Sequence, residues 1–554
     1  MSVHPTDHTR PDPGRTPTGR ALAGLLAVLL AVYVPGLFSL PVVERDEARF
    51  AQASRQMLES VVLGPGAGDR RPIRREDGVL TGGAHAGSWA VPMLGDRPRL
   101  AKPPLAYWAQ AASAGILTWG NPQADRVWHY RAPSVLAAVA ACLFTWRLGV
   151  AMGRPKAGWW GAVLLGVCPM VVWDAHQARA DQLVLAATTG AMLALFRLRT
   201  GGPGVGVRWA VVFWVSVGAG VLAKGPITPL VVTLGAGVFS WIARDWGWLG
   251  RTRPMIGLAV LGAVLAPWPI AAAGVVGWDV LGSVWMDEVL GRAVEAREGH
   301  RGPPGYHLVL LAALFWPGSL LTWYALTRSI RGTLVFPAGP SRLARWRARA
   351  VADEPTLFLL CWILPAWLVF EVAATKLPHY TLPLYPPIAL LTAHAALGLA
   401  RAPAPGRRIP PRACLVVWAV VGLALSAGLP IAVAGLGVGS ALSVAVLGAL
   451  AAGVLVVLGA RRGATLAIGA YPPAVGAMVV LSVVLIGVLL PRCERLWVTD
   501  RLAAILASVP EDVPVGAVGY HEDSLVFATR GRLVRLPPGR ADAWSVANPG
   551  GVLA

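Results

Sequence analysis

Long apolar runs recur along this chain, and they constrain its fold more than any other feature. Each run is about 20 residues long, the length at which a helix crosses a bilayer. They lie near 21–40, 131–149, 157–173, 181–198, 208–223, 226–243, 254–274, 306–326, 356–374, 380–399, 412–435, 438–460 and 467–490. The runs are continuous rather than alternating, which disfavours a membrane β-barrel. We therefore predict an all-α polytopic membrane protein with about 13 transmembrane helices.

Composition agrees with that prediction. Charged residues make up 14% of the chain and hydrophobic residues 55%, whereas a soluble domain carries roughly 25% charged residues. The net charge of +20 comes largely from arginines in short loops between apolar runs, as the positive-inside rule describes. We therefore expect membrane lipids around the chain and no nucleic acid partner.

The arginine clusters also predict the topology. They fall at every second loop only if the further run at 103–118 does not cross the membrane, so we expect an interfacial helix there. The N-terminus is then cytoplasmic and the C-terminus periplasmic. Two periplasmic loops are long, at 41–130 and 275–305.

Three regions follow from this topology. We expect a disordered cytoplasmic tail at 1–20, a transmembrane domain at 21–490, and a small periplasmic α/β appendage at 491–554. We interpret 21–40 as a retained first span rather than a signal peptide. Four of the five cysteines lie in apolar runs and no two are closely spaced, so neither a disulfide framework nor a metal cluster is predicted.

The first periplasmic loop carries charged residues at both ends. At its start, Asp46, Glu47 and Arg49 are either a solvated helix N-terminus, where acidic residues are favoured, or a carboxylate pair at the membrane surface. At its end, Lys102 precedes two prolines and should lie on extended backbone. Interfacial anchoring is the alternative for that lysine.

Later periplasmic segments add further polar groups. Asp181 opens a span two residues after Arg179. It is either an N-cap or a functional charge near the membrane, with Arg179 and Lys102 as its candidate partners. Lys224 occupies a tight turn between two spans. The remaining candidates in these segments are His300, Tyr306, Lys376, His379 and Tyr380.

Together these residues point to an anionic ligand. The cations Arg49, Lys102, Lys224 and Lys376, with the histidines, lie on the face opposite to the arginine-rich one. A lipid phosphate at the headgroup level fits them best. No P-loop, GxSxG or HExxH pattern occurs near them, so nucleotide-dependent phosphoryl transfer and zinc proteolysis are unsupported.

Several stretches are similar to one known group of enzymes, the lipid A aminoarabinose transferase and protein O-mannosyltransferase-like families. These are polytopic glycosyltransferases of the GT-C superfamily. The matching stretches are Arg45-Asp46-Glu47-x-Arg49-Phe50-Ala51, Lys102-Pro103-Pro104 with Tyr107-Trp108, Arg179-x-Asp181, Lys224-Gly225-Pro226, His300 to Tyr306, Lys376-Leu377-Pro378-His379-Tyr380 and Gly519 to Phe527. The resemblance covers nearly the whole chain after residue 20.

The resemblance implies sugar transfer at the periplasmic face of a bacterial inner membrane. The donor would be a polyprenyl-phosphate-linked sugar, and the acceptor a lipid, such as lipid A, or a glycan. Asp46, Glu47 and Asp181 would be the catalytic acidic residues. Arg49, Lys102 and Lys376 would bind the donor phosphate. Other substrate contacts would come from Tyr107, Lys224, His300, Tyr306, His379 and Tyr380.

Two departures from the family pattern stand out. Ala101 replaces a glutamate that is a candidate metal contact in relatives, so no cofactor is predicted and a divalent metal is left open. An insertion at about 61–85 splits the first loop. The alternative function is a transporter or flippase for a lipid-linked sugar, which predicts an internal repeat and paired half-helices; the sequence shows neither. A non-catalytic assembly subunit is a weaker alternative.

Overall fold

The computed structural model describes most of the chain. The described residues are 19–43, 45–63, 74–76, 79–81, 89–94, 97–201, 206–294, 302–335, 342–401, 412–436, 438–510, 513–520 and 522–553. Residues 1–18 of the predicted tail, most of the 61–85 insertion and His300 lie outside them.

Helices dominate the described residues, and their bounds follow the apolar runs closely. They are α1 (Gly19–Tyr33), α2 (Asp46–Leu63), α3 (Leu105–Leu117), α4 (Val127–Ala151), α5 (Pro155–Val167), α6 (Pro169–Ala175), α7 (Asp181–Thr200), α8 (Val207–Lys224), α9 (Ile227–Ala243), α10 (Pro254–Leu265), α11 (Pro267–Val276), α12 (Trp278–Val294), α13 (Tyr306–Leu314), α14 (Ser319–Thr333), α15 (Arg342–Ala352), α16 (Glu354–Val372), α17 (Tyr385–Arg401), α18 (Arg412–Leu436), α19 (Leu442–Thr465), α20 (Tyr471–Leu481), α21 (Leu490–Arg492), α22 (Val498–Leu506), α23 (Asp523–Ala528) and α24 (Ala541–Ala547). A 3-10 turn at Pro378–Leu384 leads into α17, and a π-helical segment at Ser482–Leu489 continues α20.

Nine helical segments of the described residues are long and apolar enough to cross a membrane, or ten if α5 and α6 form one span bent by 60°. The chain is thus a multi-pass helical membrane protein. Nine or ten is fewer than the 13 runs of the sequence. Helices α1 and α9 are apolar but shorter than a full span. The run at 306–326 divides into α13 and α14 around Pro317, which has no backbone N–H to continue a helix.

Close backbone contact between helices shapes the apolar core. A side chain on Gly149 of α4 would fall 2.3 Å from the Cα of Gly158 on α5. Small residues at such crossings let membrane helices pack tightly without a hydrophobic driving force. Helices α4, α5, α7 and α17 contribute to one large buried cluster, and this bundle supports the candidate site residues described below.

The long loops contain helices of their own. The segment between α1 and α4 holds α2 and α3, together with the short antiparallel pairs β1 (Arg74–Glu76) with β2 (Val79–Thr81) and β3 (Met93–Leu94) with β4 (Arg97–Pro98). Helix α3 has 13 residues, too few to cross a bilayer. Helix α12 occupies much of the predicted loop at 275–305.

The C-terminal segment forms a small parallel sheet. Its strands are β5 (Val515–Val518), β6 (Leu533–Leu536) and β7 (Val552–Leu553), in the order β6-β5-β7. Helices α23 and α24 make the two crossovers, as parallel pairing requires. Phe527 of α23 is buried in the same cluster as Phe50 and Tyr107 of α2 and α3. The C-terminal segment therefore packs on the first long loop through α23.

Candidate active site

A cavity of about 250 Å³ brings together several residues of the sequence prediction. Lys102, Lys224 and Tyr380 line it, with Thr375 as a further polar residue. The rest of the lining is Ala101, Pro103, Gly225, Pro226, Ile227, Leu230, Trp285, Phe370 and Ala373. The cavity therefore combines two cationic side chains with an extended apolar wall, which suits a ligand with an anionic head and an apolar tail.

The positions of the few lysines in this chain support the cavity as a binding site. The sequence has four lysines, Lys102, Lys156, Lys224 and Lys376, among 49 basic residues. Two of them line the cavity, and a third, Lys376, directly follows Thr375 of the lining. Lysine is a compact, strongly hydrated point charge. The other basic residues of this chain are arginines.

The turn between α8 and α9 positions Lys224. Lys224 is the last residue of α8, and Gly225 follows with φ 70° and ψ −136°. A residue with a Cβ is strained at such a positive φ, so glycine is needed here. Pro226 then precedes α9. The ammonium of Lys224 also lies 5.5 Å from the ring of Tyr380, within range of a cation–π interaction.

Asp181 is the centre of a buried ionic cluster beside the cavity. Its Oδ1 accepts a 2.5 Å hydrogen bond from Nζ of Lys224, and its Oδ2 lies 3.3 Å from Nη2 of Arg179. Nε2 of His379 is 3.8 Å away. The N-cap of α7 is Ala180, not Asp181. The carboxylate is therefore a partner of cations, as the functional interpretation expected, and it aims Lys224 and Arg179.

Asp46 faces the same cations but is more open. It is the first residue of α2, its side chain is 54% exposed, and its Oδ1 lies 3.8 Å from Nη1 of Arg49. Partial burial raises the pKa of this carboxyl, but the charges of Arg179, Arg99, Lys224 and Arg49 outweigh burial and leave the pKa below its ordinary value. Asp46 is thus ionised at neutral pH and accessible to a substrate.

Glu47 has a different environment from its neighbour. It is 1% exposed and receives two parallel hydrogen bonds of 2.8 Å from Arg131 of α4. The backbone N–H groups of Val43 and Ala178 donate to the same carboxylate. Its lone pairs are therefore taken by structural partners. This arrangement suits a role in holding α2 in place better than the catalytic role predicted from the sequence.

Arg49 bridges the first loop and the C-terminal segment. Its Nε donates a 2.5 Å hydrogen bond to Oδ2 of Asp523, and the other oxygen of that carboxylate, Oδ1, lies 2.8 Å from Nη2 of Arg535. Tyr107 is fully buried, stacks on Phe50 and accepts a 2.8 Å hydrogen bond from Arg99. Arg49 lies 3.8 Å from Asp46, and neither Arg49 nor Tyr107 is in the lining of the cavity.

Lys376 secures the segment that leads into α13. Its Nζ donates to the carbonyl oxygens of Gly302 and Pro303, at 3.2 and 3.0 Å, and lies 3.6 Å from Glu371. His307 contacts the same glutamate at 3.1 Å. A side chain on Gly302 would fall about 3 Å from both Lys376 and Tyr306, so Tyr306 also packs at this junction. His300, which precedes it, lies outside the described residues.

The surroundings of Asp46 and Asp181, the two carboxylates nearest the cavity lysines, do not fit a metal ion. Among the described residues, no three His, Cys, Asp or Glu side chains approach closely enough to hold one. The oxygens of Asp181 already face an ammonium and a guanidinium, and Ala101 offers no donor atom. Positive charge is thus supplied by the chain itself.

Sequence reasoning missed several residues of this region. Arg131 begins the apolar run of α4, and an arginine in a span is itself a signal of a buried partner. Asp174 of α6 is fully buried, 3.7 Å from Nη1 of Arg179, and both its oxygens are without a hydrogen bond. Arg99 interacts with Phe50 and Tyr107, and nothing in its local sequence predicts that.

Known proteins were then compared with this chain. No family model matches it. Undecaprenyl phosphate-alpha-4-amino-4-deoxy-L-arabinose arabinosyl transferase of Enterobacter sp. (strain 638) is 27% identical over 373 residues, which are 65% of this chain and 56% of that protein. The protein of the same name from Yersinia enterocolitica is 25% identical over 390 residues, covering 68% of this chain and 60% of its own. The match thus spans little more than half the length of these relatives.

Solved structures extend the likeness over nearly the whole chain. ArnT from Cupriavidus metallidurans, crystallised with undecaprenyl phosphate, superimposes with a TM-score of 0.67 at 19% identity, covering 97% of this chain and 90% of that one. The archaeal oligosaccharyltransferase AglB from Archaeoglobus fulgidus gives a TM-score of 0.51 at 11% identity, covering 94% of this chain and 64% of AglB. The chain therefore has the fold of the polytopic GT-C glycosyltransferases and, among them, resembles the aminoarabinose transferases in sequence.

Proposed function

We propose that this protein is a membrane glycosyltransferase that moves a sugar from a polyprenyl-phosphate-linked donor to an envelope acceptor, a lipid such as lipid A or a glycan. The observation that carries the proposal is the cavity in which Lys102 and Lys224 meet an apolar wall. The relatives named for an undecaprenyl phosphate donor support it. Their likeness to this chain favours sugar transfer over the alternative of transport.

In this proposal the donor phosphate lies between the ammonium groups of Lys102 and Lys224. The first isoprene units follow the apolar wall formed by Ile227, Leu230 and Phe370. Arg49 and Lys376, each beside a carboxylate in this structure, are secondary candidates for the phosphate. The other proposed substrate-binding residues lie around this centre; they are Tyr107, Tyr306, His379 and Tyr380. His300 belongs to the same group in the sequence prediction.

The proposed reaction is a displacement at the sugar C1 atom. The acceptor oxygen forms a bond to C1 while the bond between C1 and the phosphate oxygen breaks, and its electron pair leaves with the polyprenyl phosphate. Asp46 takes the proton of an acceptor hydroxyl; for a phosphate acceptor, which has no such proton, it orients the substrate. Fixed positive charge beside the leaving phosphate is the main source of acceleration, and Asp181 holds Lys224 and Arg179 in position.

The activity can be tested in purified protein reconstituted with a polyprenyl-phosphate donor. Lys102→Ala and Lys224→Ala should each weaken binding of undecaprenyl phosphate, because a contact to a charged group is worth about 1.5–3 kcal/mol, or roughly 10- to 150-fold. Lys156→Ala is the matched control, since Lys156 is exposed at the start of α5. Unchanged binding in both cavity variants would contradict the proposal.

We also propose the orientation in a bacterial inner membrane. The N-terminus is cytoplasmic, the cavity and the C-terminal region are periplasmic, and α3 lies along the interface. The count of 13 crossings requires the nine long apolar segments and four further crossings, made by α1, the bent α5–α6 pair, α9 and the α13–α14 pair. Reporter fusions after Gly153 and after Gly277 should give cytoplasmic and periplasmic signals respectively. The opposite result at Gly153 would contradict the assignment from arginine clusters.

A further inference from the structure

The amphipathic helix α15 lies outside the candidate active site, and the proposed function does not use it. Four of its 11 residues are arginines and none is acidic. Its buried residues are Trp346 and Ala350. Arg342 and Arg349, by contrast, are exposed. A short helix that is rich in arginine and packs through an apolar face is typical of segments that lie along a membrane surface.

The packing of α15 places it at one end of the helix bundle. Asp353 directly follows α15 and caps α16, one of the long apolar segments. Nε1 of Trp346 donates a 3.0 Å hydrogen bond to the carbonyl oxygen of Leu334, which follows α14. The ring centre of Trp346 lies 6.4 Å from that of Trp241, in the last turn of α9. Helix α15 therefore lies where α9 and α14 end and α16 begins.

Apolar side chains around α15 remain exposed. The exposed fraction is 57% for Trp241, 48% for Val335 and 45% for Leu343. Leu343 precedes Trp346 by three residues and Arg347 by four, so these three side chains share one side of the helix. Tryptophan at the ends of membrane helices is typical of the headgroup level of a bilayer. This side of α15 therefore suits contact with lipid better than contact with water.

The arginines form a second, charged side of α15. Arg342, Arg345 and Arg349 follow one another at intervals of three and four residues, so they lie on one face of the helix. Like charges at this spacing repel one another, and an anion that contacts them would stabilise the helix. The residues that connect α14 to α15, 334–341, include no charged side chain.

Three described carboxylates at this end of the bundle pair with arginines outside α15. Asp353 lies 2.6 Å from Arg154. Glu354 and Asp245 both pair with Arg199, each at 2.6 Å. The charge of α15 thus complements an anionic partner that the chain does not supply through these three carboxylates.

We propose that α15 binds anionic phospholipids of the leaflet at which α16 begins. Its arginines contact the lipid phosphates, and its apolar side lies beside the first carbons of the acyl chains. Clustered arginines next to a membrane span favour lipids with a net negative charge over zwitterionic ones. The exposed apolar side chains favour a lipid over a soluble polyanion such as RNA. This surface is separate from the cavity and does not depend on sugar transfer.

The test places the full-length protein in nanodiscs of phosphatidylcholine, either alone or mixed with phosphatidylglycerol, and measures amide hydrogen exchange. We expect exchange in α15 to be slower by about tenfold in the mixed nanodiscs, because a lipid that binds the folded helix stabilises it. Arg342→Gln/Arg349→Gln should remove most of this slowing. Arg342→Lys/Arg349→Lys should keep it, since lysine retains the charge. Thermal unfolding checks that each variant is folded.

A matched control tests whether α15 is special among the arginine clusters of the chain. Arg461→Gln/Arg462→Gln removes two exposed arginines near the end of α19 and should leave the slowing in α15 unchanged. An equal loss of slowing in this control would overturn the inference, because the effect would then follow from net charge alone.

Three further outcomes would also overturn the inference. The first is equal exchange of α15 in the two kinds of nanodisc, a comparison that needs no variant. The second is slowing that survives Arg342→Gln/Arg349→Gln. The third is slowing by a short RNA, added to phosphatidylcholine nanodiscs, that equals the slowing by phosphatidylglycerol; α15 would then be a general polyanion site.

Discussion

Asp46 and Asp181 share several of the same cations but differ in access. Asp181 is enclosed by Lys224 and Arg179, whereas the side chain of Asp46 is half exposed. A carboxylate that exchanges a proton with an acceptor must be reachable, and a carboxylate that aims cations need not be. In the proposed reaction, the difference in exposure favours Asp46 for proton transfer and Asp181 for positioning the cations.

This assignment predicts distinct effects for two matched substitutions. Asp46→Asn should lower transfer by about 100-fold or more while leaving donor binding and the melting temperature nearly unchanged, because asparagine starts a helix as well as aspartate does. Asp181→Asn should weaken donor binding and lower the melting temperature, since it leaves two cations without their shared carboxylate. Glycan transfer, competition binding and thermal unfolding in detergent measure these effects.

Two results together would contradict this assignment: near-normal transfer by Asp46→Asn, and loss of transfer with normal donor binding in Asp181→Asn. Asp181 would then be the catalytic carboxylate.

The sequence could predict these residues because charge next to an apolar run is conspicuous. It predicted a cationic partner for Asp181 and named Arg179 and Lys102 as candidates; Arg179 is a partner, and Lys224 is the other. It could not predict the partner of Glu47, because Arg131 lies 84 residues away and only the folded chain brings the two together. Local patterns thus indicate which charged residues are candidates, and long-range pairing decides which contacts each of them makes.

At the scale of elements, the pair of Glu47 and Arg131 fixes α2 against α4. Both side chains are fully buried, and Arg131 also donates to the carbonyl oxygens of Leu40 and Pro41. The segment between α1 and α2 is therefore fastened at the point where Asp46 begins α2. A shift of this segment would move Asp46 relative to the cavity.

Glu47→Gln should consequently act on stability. Removing the charge of one partner in a buried pair costs about 3–5 kcal/mol in free energy of unfolding. Glu354→Gln is the control, because Glu354 also pairs with an arginine, Arg199, but through one hydrogen bond of 2.6 Å and at a partly exposed position. Exposed pairs are worth about 1 kcal/mol or less. Thermal unfolding in the same detergent compares the two. Equal losses in free energy of unfolding in both variants would argue against the proposed role of the Glu47–Arg131 pair in fixing α2 against α4.

The helix boundaries show which features of the elements can be predicted from the sequence and which cannot. Run length and hydropathy predict helices well, and α4, α7, α8, α16 and α18 lie within a few residues of the predicted runs. Proline breaks are visible in the sequence, but their geometry is not. The 60° bend between α5 and α6, and the division of α13 from α14, depend on how each segment packs on its neighbours.

At the scale of the whole molecule, the C-terminal segment is joined to the first long loop by a buried ionic network. Asp125 lies 2.6 Å from Nε of Arg55 on α2 and 2.8 Å from Nη1 of Arg530. Burial raises the pKa of Asp125, but Arg55, the hydrogen bond from Tyr130 and Arg530 outweigh burial and leave the pKa below its ordinary value. Asp125 therefore stabilises the contact fully above about pH 4, and the contribution is lost as pH falls through the lowered pKa.

Arg530→Gln tests this connection. Glutamine tolerates the φ of 55° at this position about as well as arginine does, but it cannot pair with Asp125 and Glu59. We expect faster proteolysis of the C-terminal segment and a several-fold loss of transfer, because α2 loses a support. Arg540→Gln, at an exposed position, is the control. Unaltered proteolysis in Arg530→Gln would mean that the ion pairs of Arg530 are not needed to hold the segment.

The contact between Arg49 and Asp523 has a consequence for how the protein is made. The two residues are 474 positions apart, and Arg55 likewise donates to the carbonyl oxygen of Phe527, 472 positions later. A ribosome completes every apolar helix of the membrane domain before it reaches these partners. A nascent chain that has inserted all its spans therefore still lacks this support of α2, and the site is completed only when the segment that contains Asp523 and Phe527 has been made and has folded against α2.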